Sequence, residues 1–166
     1  MASTFSGSLA ITLRIQELLA SGAFGAPGQH VLDAFAGISL DNGTTSGKID
    51  IGYSALGAPA ASSADSYDLA GTLKDRSNTT FTMAKLKIVA LHNTGTTSIR
   101  LKSPSNGVPL LSGSTDGLDL APGAVFIYYD PAGVTVTAST GDLLSVTNLS
   151  GSTAAAYRII LAGSTS

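Results

Sequence analysis

Apolar residues recur at every second position through much of this chain. Leu9, Ile11, Leu13 and Ile15 alternate with Ala10, Thr12, Arg14 and Gln16, and Ile49, Ile51 and Tyr53 alternate with Lys48, Asp50 and Gly52. A period of two places alternate side chains on opposite faces of a strand, so these runs predict β-structure buried on one side. Further strands are predicted over Lys85–His92, Ser98–Lys102, Ala124–Tyr129, Val134–Ser139, Leu143–Asn148 and Ala155–Ala162. Turn chemistry separates them. Asn42-Gly43 suits the positive φ angles of a tight hairpin, and Asp130-Pro131-Ala132-Gly133 predicts a turn between two strands. Pro122-Gly123 and Gly141-Asp142 punctuate in the same way. From residue 85 onward the strands arrive every ~8–12 residues, the rhythm of a sandwich or barrel rather than of βαβ units.

Helical pattern is sparse. Ile15–Ser21 allows one or two turns before Gly22, Gly25 and Pro27-Gly28 stop it. The Ala-, Ser-, Gly- and Pro-rich stretch Leu56–Ser66 reads as a flexible loop. The expected organisation is one antiparallel β-sandwich domain over 1–166. Residues 1–55 form a loop-rich N-terminal arm with outer strands, 56–66 the loop, and 67–166 the main region. Leu86 or its neighbour, Ile99, Val136, Val146 and Ile160 are the expected core. Two segments echo each other: Val89-Ala90-Leu91-His92-Asn93 and Val146-Thr147-Asn148 each precede a Gly/Ser/Thr turn and another strand. They predict two similar corners of a double sheet.

Composition narrows the function. Only 12% of the residues are charged, against about 25% in an ordinary soluble domain, and mean hydropathy is +0.29. No apolar run approaches the ~18 residues of a membrane span. The polarity comes instead from 22 serines and 18 threonines. Hydroxyls are cheaper to desolvate than ions, so this composition predicts a surface covered by neighbours, that is, a homo-oligomer or larger assembly. With no cysteine there is neither a disulfide framework nor a thiolate metal site. Met1–Ser8 shows no signal-peptide pattern, which predicts a protein made in the cytoplasm and not secreted.

Candidate chemistry is thin. His30 and His92 are the only histidines, and a metal site needs three or four convergent donors. No Gly-x-Ser-x-Gly elbow is present, and Asp116 and Asp119 sit in turn-like sequence, so no catalytic residue, cofactor or metal is expected. The main charge feature is basic: Lys74, Arg76, Lys85, Lys87, Arg100 and Lys102 give the segment 74–102 a net +5, leaving −7 for the rest. They form a candidate docking patch if the strands bring them to one face. The acidic pI near 5.5 and the lack of interleaved aromatics argue against nucleic acid. Tyr128 and Tyr129, beside Phe126, are candidate interface aromatics.

Five segments carry a resemblance. They are Tyr67-Asp68-Leu69-Ala70-Gly71-Thr72-Leu73-Lys74-Asp75, Phe81–Ile88, Leu120-Ala121-Pro122-Gly123, Val136–Asn148 with its Thr140-Gly141-Asp142 turn, and Tyr157–Gly163. Together, over residues 67–163, they resemble the small jelly-roll virion proteins of tailed bacteriophages. The resemblance implies a jelly-roll sandwich, a trimer, and a place in the virion as a capsid decoration or cement protein on the major capsid protein. It brings no catalytic residues. A carbohydrate- or receptor-binding module of a head or tail fibre is the alternative, with Tyr128 and Tyr129 facing a glycan.

Overall fold

A computed structural model describes residues 7–9, 14–18, 29–33, 38–74, 78–111 and 116–166, with side chains from 39 onward. The chain divides into a smaller unit, Ser6–Leu40, and a larger one that contains Asp41–Ser166. In the smaller unit β1 (Gly7–Leu9) pairs antiparallel with the first three residues of β4 (Ile38–Asn42), whose last two, Asp41 and Asn42, belong to the larger unit, and β2 (Arg14–Leu18) pairs with β3 (Gln29–Asp33). The short helix allowed at Ile15–Ser21 is thus a strand over its first four residues. Backbone pairing with β3 in a two-strand ladder prevails over the weak helical propensity.

The larger unit opens with β5 (Lys48–Ile49), which runs parallel to the end of β4. Eight strands follow: β6 (Ile51–Gly57), β7 (Ala64–Asp68), β8 (Lys85–Asn93), β9 (Ile99–Lys102), β10 (Gly117–Leu120), β11 (Val125–Thr135), β12 (Leu143–Asn148) and β13 (Tyr157–Ser164). They build two four-stranded antiparallel sheets, sheet A in the order β11-β8-β13-β6 and sheet B in the order β10-β9-β12-β7. The sheets pack face to face as a sandwich. Pairing is nested: β6 with β13, β7 with β12, β8 with β11, β9 with β10. Successive strands lie in different sheets except at the innermost pair, β9 and β10.

Alternation along each strand supplies the core. Ile99 and Leu101 of β9, Leu144 and Val146 of β12, and Tyr157, Ile159 and Leu161 of β13 point inward and are buried. Of the expected core residues, Leu86, Ile99, Val136 and Val146 are buried, but Ile160 is 51% exposed. Its neighbour Ile159 fills the core instead, because Arg158 and Ile160 share the outward phase.

Three other sequence expectations are corrected. Asp130-Pro131-Ala132-Gly133 does not separate two strands; it lies inside β11 as a bulge, where the register shifts between Tyr129 and Val134. Proline has no N–H to donate and Gly133 takes a φ of +77°, the requirements of a bulge on an edge strand as well as of a turn. The strand expected over Val134–Ser139 is only the tail of β11, followed by a turn closed by Thr137 and Gly141. The stretch 56–66 is no flexible loop. Strand β6 runs to Gly57 and β7 begins at Ala64, and the connection is pinned between them. The Asn148 side-chain amide donates to the Pro59 and Ala60 carbonyls, and Ser62 N–H donates to Ser150 O at 2.8 Å.

The two echoing segments are matched corners. Asn93 ends β8 where the chain crosses from sheet A to sheet B. Its Oδ1 accepts from Gly95 N–H, and its Nδ2 donates to the carbonyls of Thr97 and Leu120. Asn148 ends β12 where the chain crosses back. Its Oδ1 accepts from Ser150 N–H and its Nδ2 donates to Thr153, Pro59 and Ala60. Both are fully buried, and only an amide offers an acceptor and two donors in one plane for such a corner.

Candidate interaction surface

The basic residues of the expected patch do not share a face. Arg100 and Lys102 lie on β9 and project from the outer side of sheet B, whereas Lys85 and Lys87 lie on β8 in sheet A. Lys74 is exposed at a bridge with Thr80, and Arg76 lies outside the described residues. The +5 segment is divided because the chain changes sheets at Asn93. Arg100 and Lys85 are also engaged. The Arg100 guanidinium pairs bidentately with Asp119, Nη2 lying 2.8 Å from Oδ2, and this holds the Asp119 carboxyl below its ordinary range. Lys85 Nζ donates to Thr135 Oγ1 at 2.7 Å.

Lys87 is withdrawn from any docking face: it is 1% exposed. It sits where β8 skips a partner on both sides, between the Leu86 and Ile88 registers of β11 and β13. The segment 43–50 crosses this end of sheet A, tied by Gly47 N–H to Pro131 O and by Asp50 N–H to Gly163 O. Beneath it the Lys87 ammonium donates to the carbonyls of Thr44 (3.1 Å), Thr45 (2.8 Å) and Lys48 (2.7 Å). Three acceptors match its three protons. Burial still lowers its pKa from the ordinary lysine value, against the opposing pull of Asp50.

The tyrosine candidates are divided in the same way. Phe126 and Tyr128 pack against the core, and the Tyr128 hydroxyl lies 3.4 Å from Asp130 Oδ2. Tyr129 points outward but is half-buried, its hydroxyl 4.0 Å from where a Cβ on Gly47 would be.

What sheet A presents beyond the 43–50 crossing is aliphatic. One row across its four strands reads Val125, His92, Arg158, Leu56, and the next Ile127, Ala90, Ile160, Ser54. Leu56 is 76% exposed, Val125 59% and Ile127 37%. With Ile160 they expose on the order of 400 Å² of side chain, the size of the largest patch on an ordinary monomer, which is often functional. No carboxylate lies in either row, and Arg158 carries the rows' one fixed charge. Four of the six large exposed apolar residues among the described residues fall here.

Neither the family models, the curated proteins nor the solved structures compared with this chain gave a match. Among the described residues no three His, Cys, Asp or Glu side chains gather as a metal site would require.

One buried polar cluster ties the sheets together at their β6–β7 end. Tyr157 of sheet A donates to Asp65 Oδ2 of β7 at 2.6 Å, which leaves Tyr67 to donate to the Tyr157 hydroxyl at 2.7 Å. Tyr53 packs edge-on against Tyr67, ring centroids 5.9 Å apart. Burial pushes Tyr67 up to about 12 and Tyr157 further. A tyrosine pKa raised in the folded state means that the unfolded chain releases its proton first. Stability is then intact below about pH 10 and falls as pH rises toward 12, by about 1.4 kcal/mol per pH unit for each such tyrosine. Lys87, with a lowered pKa, acts in the opposite sense. Urea midpoints between pH 9 and 11.5 are expected to fall in the wild type and to fall less steeply in Tyr157→Phe; parallel curves would remove the cluster from the alkaline limb.

Proposed function

We propose that this chain is a non-enzymatic structural protein of a virion, a decoration or cement protein of jelly-roll type that packs on neighbouring subunits of a phage shell. The observation that carries the reading is the outer face of sheet A, two aliphatic rows free of carboxylates on a rigid double sheet. Such a face gains by desolvation and strips few ions of water. Support for the jelly-roll form is the nested pairing of first strand with last, which is what rolling up one long hairpin of eight strands produces. The partner surface that complements the face is apolar, with a carboxylate opposite Arg158. Charge-poor composition favours self-packing in the same assembly, for which the resemblance implies a trimer.

The test is occupancy on particles. Particles purified from cells that make the chain should hold it in fixed ratio to the shell subunit. Val125→Asp and Ile127→Asp, at the β11 side of the face, should each lower occupancy about tenfold or more while leaving the melting temperature within ~2 °C, since both positions are already exposed. A chain found only in the soluble fraction, or variants that load like the wild type, would overturn the proposal.

A further inference from the structure

The four edge strands of the sandwich are not protected alike. Strand β10 is four residues long and carries Asp119, paired to Arg100. Strand β7 carries Asp65 and Asp68 in five residues. Strand β11 is broken by its Asp130-Pro131 bulge. Short length, charge, proline and bulges are the usual means by which an edge avoids pairing with another chain. Strand β6, Ile51-Gly52-Tyr53-Ser54-Ala55-Leu56-Gly57, has none of them. It is seven residues long, uncharged, free of proline, and registered on β13 without a break. Among the described residues its other side has no backbone partner.

We infer that β6 is a self-pairing edge: β6 of a second copy continues sheet A antiparallel across a two-fold axis through Ser54. The occupant follows from the edge itself, because a row of unpaired peptide groups is complemented by another extended strand, and an antiparallel strand paired with its own copy is an isologous contact. The axis position follows from the side chains. Facing residues in an antiparallel pair point to the same side, so the axis must pass through a residue. An axis through Ser54, the middle of the strand, pairs all seven positions. It sets Leu56 against Gly52 on the outer face, and on the inner face Tyr53 against Ala55 and Ile51 against Gly57. Every large side chain then meets a small one. Leu56, the most exposed large apolar residue described, is covered over the partner's glycine. The Ser54 row continues from one copy into the same row of the next, and the Leu56 row ends against the partner's Gly52 row, so the two aliphatic faces lie side by side on one sheet of eight strands.

This inference rests on the structural reading only in taking the chain as self-packing, and it replaces the trimer by assemblies of even copy number. The chain has no cysteine, so a single introduced thiol reports only contacts between copies. Across an antiparallel pair Cα atoms lie about 4.5–5.5 Å apart, inside the range a disulfide spans. Ser54→Cys under mild oxidant should give a disulfide dimer at least about tenfold faster than Thr140→Cys, an exposed turn position used as control. Light scattering should find the wild type dimeric at tens of micromolar and Leu56→Lys monomeric, with unchanged circular dichroism. Equal cross-linking rates, a monomeric wild type, or an oligomer indifferent to Leu56→Lys would each overturn the pairing. The last of these leaves the shell proposal standing, and loss of particle occupancy is read separately through Val125 and Ile127 on the opposite edge.

Discussion

Gly57→Ala is expected to lower the melting temperature by about 10 °C, although it adds one methyl group to an edge strand. Gly57 lies directly across from Tyr157 in the β6–β13 ladder, and a Cβ there would fall inside the Tyr157 ring. That ring is 1% exposed and has no room to swing aside. Its hydroxyl joins Asp65 and Tyr67, so moving the ring breaks the link between the sheets. Overpacking costs about 1–3 kcal/mol and buried polar groups left without partners about 1–3 kcal/mol each, a total near 3–5 kcal/mol. For a chain of this length each kilocalorie moves the midpoint by about 2–4 °C. Tyr157→Phe, which keeps the ring and removes the hydroxyl, should cost only about 1–3 kcal/mol. A thermal melt in which Gly57→Ala matches the wild type would show that the ring does not depend on the glycine.

Asn148→Ala is the second large effect. It strips the donors from three carbonyls, Pro59, Ala60 and Thr153, and the acceptor from Ser150 N–H, at a fully buried site. The expected loss is about 3–5 kcal/mol, since each stranded group costs about 1–3 kcal/mol and partial relaxation recovers some of it. Asn93→Ala removes the partners of two carbonyls and one N–H and should cost about 1 kcal/mol less. Asn148→Asp separates the two roles, because the carboxylate still accepts from Ser150 N–H but faces three carbonyls with no proton to offer. It should be at least as damaging as alanine. Urea titrations with an unchanged slope would measure all three, and losses under ~0.5 kcal/mol, typical of surface positions, would deny the corners their structural role.

The alternation of Leu144, Val146 and Asn148, and of Ile99 and Leu101, was enough to predict the sandwich, because each strand is buried on one side only. The phase of β13 was marked by Arg158 on the outward side, but the expected core took Ile160 from that same side in place of Ile159. Two signals were ambiguous in principle. Proline with glycine serves a bulge as well as a turn, so Asp130–Gly133 could not be assigned without its partner strand. Ala-, Ser- and Pro-rich sequence is loose only if nothing binds its carbonyls, and the donor for 59 and 60 lies almost ninety residues away in Asn148. The basic patch failed on topology. Lys85 and Lys102 are close in sequence, but the Asn93 corner sends them to opposite faces, and the acceptors that bury Lys87 come from residues 44–48. The aliphatic rows were present in the sequence as Val125, Ile127, Leu56 and Ile160. Only the register of four strands, drawn from four separate places in the chain, brings them side by side.

The nested pairing has a consequence for synthesis on the ribosome. Strand β13 lies between β6 and β8, so sheet A has a gap at its centre until residue 164 has emerged. The innermost pair, β9 with β10, can form early, then β8 with β11, but β6 waits for more than a hundred residues of later sequence. Closing such distant contacts is slow, and the waiting strand is uncharged, with the peptide groups of both its edges unpaired until β13 arrives. A growing chain therefore carries β6 unpaired until β13 has been made, and if β6 pairs with its own copy, neighbouring chains on one polysome are where that contact can first form.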